Sequence, residues 1–130
     1  MKVPSNLDEA VSIIKDHLDE EDLNYIKSES NSSSVHFSFG MHIRNEWFLW
    51  NKKSKLVKWF KKEYGIDHAD DISGLIIATV WRDVKKQPRN CKELAESYVY
   101  YWKKMKELNK KGITSYKIQY NNDGTFELLS

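Results

Sequence analysis

The chain has 130 residues with a formal charge of +2, and five Trp and seven Tyr make it rich in aromatic side chains. That length suits one domain, expected over residues 1–130, able to bury roughly two thirds of its unfolded surface. So small a charge does not by itself point to nucleic acid, and the single cysteine, Cys91, excludes an internal disulfide framework and a cysteine-based zinc site.

Asn6 followed by Glu9 has the spacing of a capping box, and Leu7, Ala10, Val11, Ile14 and Leu18 then recur at helical intervals, predicting a helix over about 7–18. Asp19 is placed to cap a second helix over 20–27, with Leu23 and Ile26 on one side. The acidic run Asp19-Glu20-Glu21-Asp22 then falls where the helix dipole favours negative charge. Five serines within residues 28–34 give a loop composition. Val35, Phe39, Ile43, Trp47 and Trp50 form the next apolar stripe, on a helix over 35–47 that carries Gly40 beside it.

Ser54 is the cap of a helix over 55–64 whose Leu56, Val57 and Phe60 face inward, whose lysines face water and whose end is Gly65. The segment 69–86 is the most apolar, with Ile72, Leu75, Ile76, Ile77, Thr79, Val80 and Trp81, and is expected to be the central core helix, closed by Gln87-Pro88. Asn90 with Glu93 suggests another capping box. Leu94, Ala95, Tyr98, Trp102, Met105 and Leu108 then mark a last helix over 91–111, ending near Gly112. Beyond it the period changes to two, with Tyr116, Ile118 and Tyr120, the turn Asn121-Asn122-Asp123-Gly124, then Phe126 and Leu128, which predicts a β-hairpin over about 114–129. The expected fold is mainly α, a compact bundle of about five to six helices with a C-terminal β-hairpin.

His68, Asp70 and Asp71 stand together after Asp67, but adjacent side chains on a helix diverge by about 100 degrees, so capping is favoured over a metal site. Arg44 is placed to pair bidentately with Asp70 or Asp71 as a structural clamp, with Asn45 beside it. His36 and His42 lack the i, i+4 spacing of a zinc pair, and Cys91 has no partner motif for nucleophilic chemistry. No metal or cofactor is expected. Lys52, Lys53, Lys55, Lys58, Lys61 and Lys62 beside Trp50 and Trp59 make the pattern that would suit nucleic acid.

Gly40-Met41-His42-Ile43-Arg44-Asn45-Glu46-Trp47-Phe48-Leu49-Trp50, followed by Gly65-Ile66-Asp67-His68-Ala69-Asp70-Asp71-Ile72-Ser73, resembles a family of small uncharacterised bacterial proteins. The family pattern is G-x-x-I/L-R-N-x-W-x-L-W and then G-I-x-H-P-D-D-x-S, and the similarity covers about residues 7–105. Phe48 and Asn51 stand where glycine is usual, and Ala69 where proline is. The resemblance implies a bacterial source and a helical fold and carries no activity.

No segment has the roughly 18 apolar residues of a membrane span, and the start turns acidic before a signal-peptide core develops, so a cytoplasmic location is expected. The function expected is non-enzymatic: an immunity protein or antitoxin whose acidic patch Asp16, Asp19, Glu20, Glu21 and Asp22 meets a basic, nuclease-like toxin. Two alternatives stand beside it. One is a small enzyme or ligand-binding protein using Arg44, Asn45, His68, Asp70 and Asp71, and the other a nucleic-acid binder using the 52–62 lysines.

Overall fold

The computed structural model describes residues 2–28 and 42–112 and the backbone of residues 117–120 and 126–129. Helix α1 (Leu7–His17) begins where the Asn6 side chain accepts the Glu9 N–H at 2.9 Å. The Glu9 carboxylate reaches one residue further back than a capping box requires. It accepts from both the backbone N–H and the hydroxyl of Ser5 at 2.8 Å, which holds it below the usual carboxylate range. Helix α2 (Glu20–Ser28) starts on a reciprocal pair: Asp22 N–H donates to Asp19 at 2.8 Å and Asp19 N–H to Asp22 at 3.1 Å.

Residues 42–46 are helical and form the described part of α3, whereas residues 29–41, including Val35, His36, Phe39 and Gly40 of the predicted helix, lie outside the described residues. Its end departs from the predicted stripe. Phe48 takes a left-handed conformation (φ 53), its N–H reaches the Asn45 carbonyl at 3.5 Å, and Leu49 N–H reaches Arg44 at 3.0 Å. These are the two bonds of a Schellman turn, with Phe48 at the position that usually takes glycine. The turn swings the chain so that Leu49 is fully buried, and Trp50, expected on the buried stripe, is 64% exposed.

A Phe48→Gly substitution should therefore stabilise the protein. Left-handed backbone costs a side-chain-bearing residue about 1–2 kcal/mol, against glycine's extra backbone entropy of about 0.5–1. The exposed edge contact with Trp50, at 6.0 Å between ring centroids, adds little. A gain of up to about 1 kcal/mol in urea unfolding is the expected result, and a loss would mean that the ring is needed where it is.

Ser54 accepts the Val57 N–H at 3.1 Å and opens α4 (Lys55–Tyr64), which ends at Gly65 in left-handed geometry (φ 72). Helix α5 (Ala69–Val84) is buried without interruption from Asp71 to Arg82, as its apolar character predicts. It ends on a second Schellman turn, with Lys86 left-handed (φ 57) and Gln87 N–H on the Arg82 carbonyl at 2.8 Å, so the stop precedes Pro88. Helix α6 (Cys91–Lys110) carries Leu94, Ala95, Tyr98 and Leu108 inward. The predicted capping box at its start does not form: Asn90 is itself left-handed (φ 47, ψ 40), where an N-cap needs extended backbone, and its side chain caps nothing.

The chain is mainly helical. α5 lies at the centre with α1, α2 and α6 against it, and α4 packs on α6. Leu7, Val11 and Ile14 of α1, Ile43 of α3, Leu56 and Phe60 of α4, Leu75 and Ile76 of α5 and Leu94 of α6 join one apolar cluster. Strands β1 (Lys117–Tyr120) and β2 (Phe126–Leu129) pair antiparallel, Lys117 opposite Leu129, and β2 approaches α6. The turn predicted at 121–124 lies outside the described residues.

Candidate functional site

The polar residues of the two motifs divide among three local tasks. Arg44 places Nη1 3.0 Å from the Ser73 hydroxyl and Nε 3.4 Å from Asp70, so it contacts Asp70 through one nitrogen where a two-nitrogen fork was expected. The Ser73 hydroxyl in turn donates to the Asp70 carbonyl at 3.0 Å, and the group ties α3 to the first turn of α5. His68 Nδ1 accepts the Asp70 N–H at 3.2 Å and serves as the helix cap. The same nitrogen lies 3.9 Å from the Asp70 carboxylate.

Asp71 turns the other way. It is 8% exposed and accepts Trp102 Nε1–H from α6 at 2.7 Å, while the Trp102 ring lies 4.8 Å from the His68 ring. Trp102 was expected on the buried face of α6 and is 44% exposed, its indole closing over the start of α5. Burial pushes the Asp71 carboxyl above its ordinary value, and the Trp102 bond only partly opposes it. Asn45 is exposed. The five residues thus do not converge on a common point, and among the described residues no three His, Cys, Asp or Glu side chains gather around a possible metal position.

A group whose folded pKa is raised stabilises the fold below its unfolded pKa and loses that contribution as pH rises through the folded value. Ionised Asp71 therefore weighs against the fold at neutral pH. Asp71→Asn, whose amide oxygen still accepts from Trp102, is expected to be stabilising or neutral at pH 7, within about 1 kcal/mol. It should also flatten the fall in stability above pH 4 seen by urea unfolding at a series of pH values; an unchanged slope would remove Asp71 as its source.

The acidic residues Asp16, Asp19, Glu20, Glu21 and Asp22 are all exposed around the α1–α2 elbow. Asp19 and Asp22 cap each other's backbone, while Asp16, Glu20 and Glu21 form no ion pair among the described residues. Beside them opens a groove of about 150 Å³ between α1, α2 and α5. Its floor is Ile14, Ile26, Ile77, Val80 and Trp81, all buried, and its rim is Leu18, Asp22, Tyr25 and His17. Sequence reading identified the acids and missed the groove, because Ile14 and Ile77 come from helices that meet only in the fold and each looks like an ordinary core residue.

The lysines of 52–62 are all exposed, and Lys52 and Lys61 hold Asp67 at 3.2 and 3.7 Å. Burial alone would raise the Asp67 carboxyl, but these two ammonium groups bring it below the ordinary value. Trp59 is turned inward against Phe60 and Tyr64, leaving Trp50 and Phe48 as the exposed aromatics near the lysines. Cys91 is half-buried, with its sulfur 3.5 Å from the Thr79 hydroxyl. His36 lies outside the described residues.

No helix among the described residues is long and apolar enough to cross a membrane. The model of a domain family of unknown function, DUF6794, matches residues 3–84, from before α1 to the last residue of α5. That stretch starts slightly earlier and ends sooner than the 7–105 span suggested by the motifs, leaving α6 beyond it. Neither a curated protein nor a solved structure matches the chain.

Proposed function

The chain belongs to the DUF6794 family of domains of unknown function, and we propose that it is a non-enzymatic protein-binding domain whose acidic α1–α2 face docks on a basic protein. The observation that carries this reading is the apolar groove opening beside Asp22, with the exposed Asp16, Glu20 and Glu21, which form no ion pair among the described residues, around the same elbow. An apolar centre with a charged border is the usual anatomy of a specific protein interface, where the border charges steer the encounter and set orientation. The role proposed is that of a bacterial immunity protein or antitoxin, with a basic, nuclease-like toxin as the partner class. A cytoplasmic location is part of the same reading.

The enzyme alternative draws no support from Arg44, Asn45, His68, Asp70 and Asp71, since four of the five are engaged with neighbours and none lines the groove. The nucleic-acid alternative keeps one favourable observation, the exposed Phe48–Trp50 pair next to Lys52 and Lys53.

The test is affinity capture of the tagged chain from its native cell at moderate salt, in parallel with a variant carrying Asp16→Lys, Glu20→Lys and Glu21→Lys. These three positions are exposed and take no part in capping, so the variant is expected to fold normally by circular dichroism. One stoichiometric protein partner that the variant binds at least about a hundredfold more weakly is expected, since three reversed charges each cost on the order of 1 kcal/mol or more. A partner held equally by the variant would place the interface elsewhere. Recovery of nucleic acid that leaves at higher salt would favour the lysine face.

A further inference from the structure

The groove between α1, α2 and α5 has an apolar floor, one acidic edge and a definite size, and we infer that it seats a single phenyl- or leucyl-sized side chain of the partner protein, presented next to lysine or arginine. This rests on the protein-binding reading above and adds how the partner is held.

Three observations lead to it. A space of about 150 Å³ admits one benzene-sized group, so the groove selects an anchor residue and cannot hold a whole helix face. Its floor offers no charge, and Trp81 below with Tyr25 at the rim gives aromatic surface that favours a ring or a branched aliphatic group. Asp22 spends one carboxylate oxygen on the Asp19 N–H, and its other oxygen makes no bond among the described residues, which leaves an acceptor at the edge for a neighbouring cation.

The groove is therefore lopsided in charge, with the Asp22 acceptor at its α2 edge. An anchor entering it would have its lysine or arginine on the α2 side, where Asp19, Glu20 and Glu21 continue the negative surface. A nucleic acid strand would meet the same acids with the wrong sign.

The inference is tested by titrating three pentapeptide amides into the intact chain at low salt and following the Ile and Val methyl and Trp indole NMR signals. The first peptide has phenylalanine between two pairs of lysines, the second has serine at that place, and the third has phenylalanine between pairs of glutamates. Shifts centred on Ile77, Val80 and Trp81 are expected with the first peptide. The serine peptide is expected to bind about tenfold or more weakly, the loss that goes with one unburied aromatic side chain. No binding is expected from the glutamate peptide. Equal binding of the serine peptide would overturn the anchor while leaving the acidic docking face intact. Equal binding of the glutamate peptide, or shifts that avoid the groove, would overturn the inference. Absence of binding by both lysine peptides would count against the groove and the docking face together.

Discussion

Trp47→Ala is expected to cost about 3–5 kcal/mol in urea unfolding, the range for deleting a fully buried large aromatic side chain, whereas Trp50→Ala should stay within about 0.5 kcal/mol. The two residues stand three apart on one predicted apolar stripe, but Trp47 is completely buried and Trp50 is 64% exposed. The Schellman turn at Phe48 separates them. Trp47→Phe is expected to cost less than Trp47→Ala. It keeps most of the ring, and it also removes an indole N–H that is buried with no partner among the described residues. A large effect at Trp50 would mean that its ring is covered in solution and would shift attention to that surface.

Arg89→Ala is the second large effect. The Arg89 guanidinium contacts Asp83 through Nε at 2.9 Å and Nη2 at 2.6 Å, and reaches Asp8 of α1 through Nη1 at 2.8 Å. Lys15 adds a second cation 3.5 Å from Asp83. The cluster locks the loop before α6 onto the end of α5 and the start of α1, and the Arg89 carbonyl also accepts from the Arg82 guanidinium. A forked pair has defined geometry, but the Arg89 side chain is 39% exposed, so the expected cost is about 1–2 kcal/mol. Arg89→Lys should recover only part of it, because an ammonium cannot reproduce the fork.

The bonds from Arg89 hold the Asp83 carboxyl below the ordinary aspartate value. A depressed folded pKa means stabilisation that is present above the unfolded value of about 3.9 and lost as pH falls through the folded one. Wild type should therefore lose more stability than Arg89→Ala between neutral pH and the acid range. Parallel acid curves would exclude the cluster as a source of acid lability.

The motif cluster has a lesson in its division. Asp70 and Asp71 look like a pair, yet one faces Arg44 and the other Trp102. The turn of the helix foretold that they would diverge, but not where each would go. Trp102 lies 31 residues from Asp71, and nothing near either residue announces the bond. Asn90 makes the opposite point: its spacing to Glu93 has the form of a cap, and the backbone conformation it takes between the Arg89 cluster and α6 makes the cap impossible.

What the sequence alone determined here is therefore what acts within a turn or two of chain. Asn6, Asp19 and Ser54 begin helices, Gly65 ends one, and the apolar residues between Ile72 and Trp81 mark a helix that is buried on all sides over that stretch. Capping and periodicity are local, and a residue whose backbone takes the extended cap conformation, as Asn6 and Ser54 do, meets its capping partner within the same turn. Only the tertiary structure decided the Arg89 contact with Asp8, 81 residues away, the burial of Leu49 in place of Trp50, and the groove that joins Ile14 to Ile77. Those depend on the angles at which helices leave their turns. Two left-handed residues, Phe48 and Lys86, set two of these angles against their own conformational preference, which is why residue type did not reveal them.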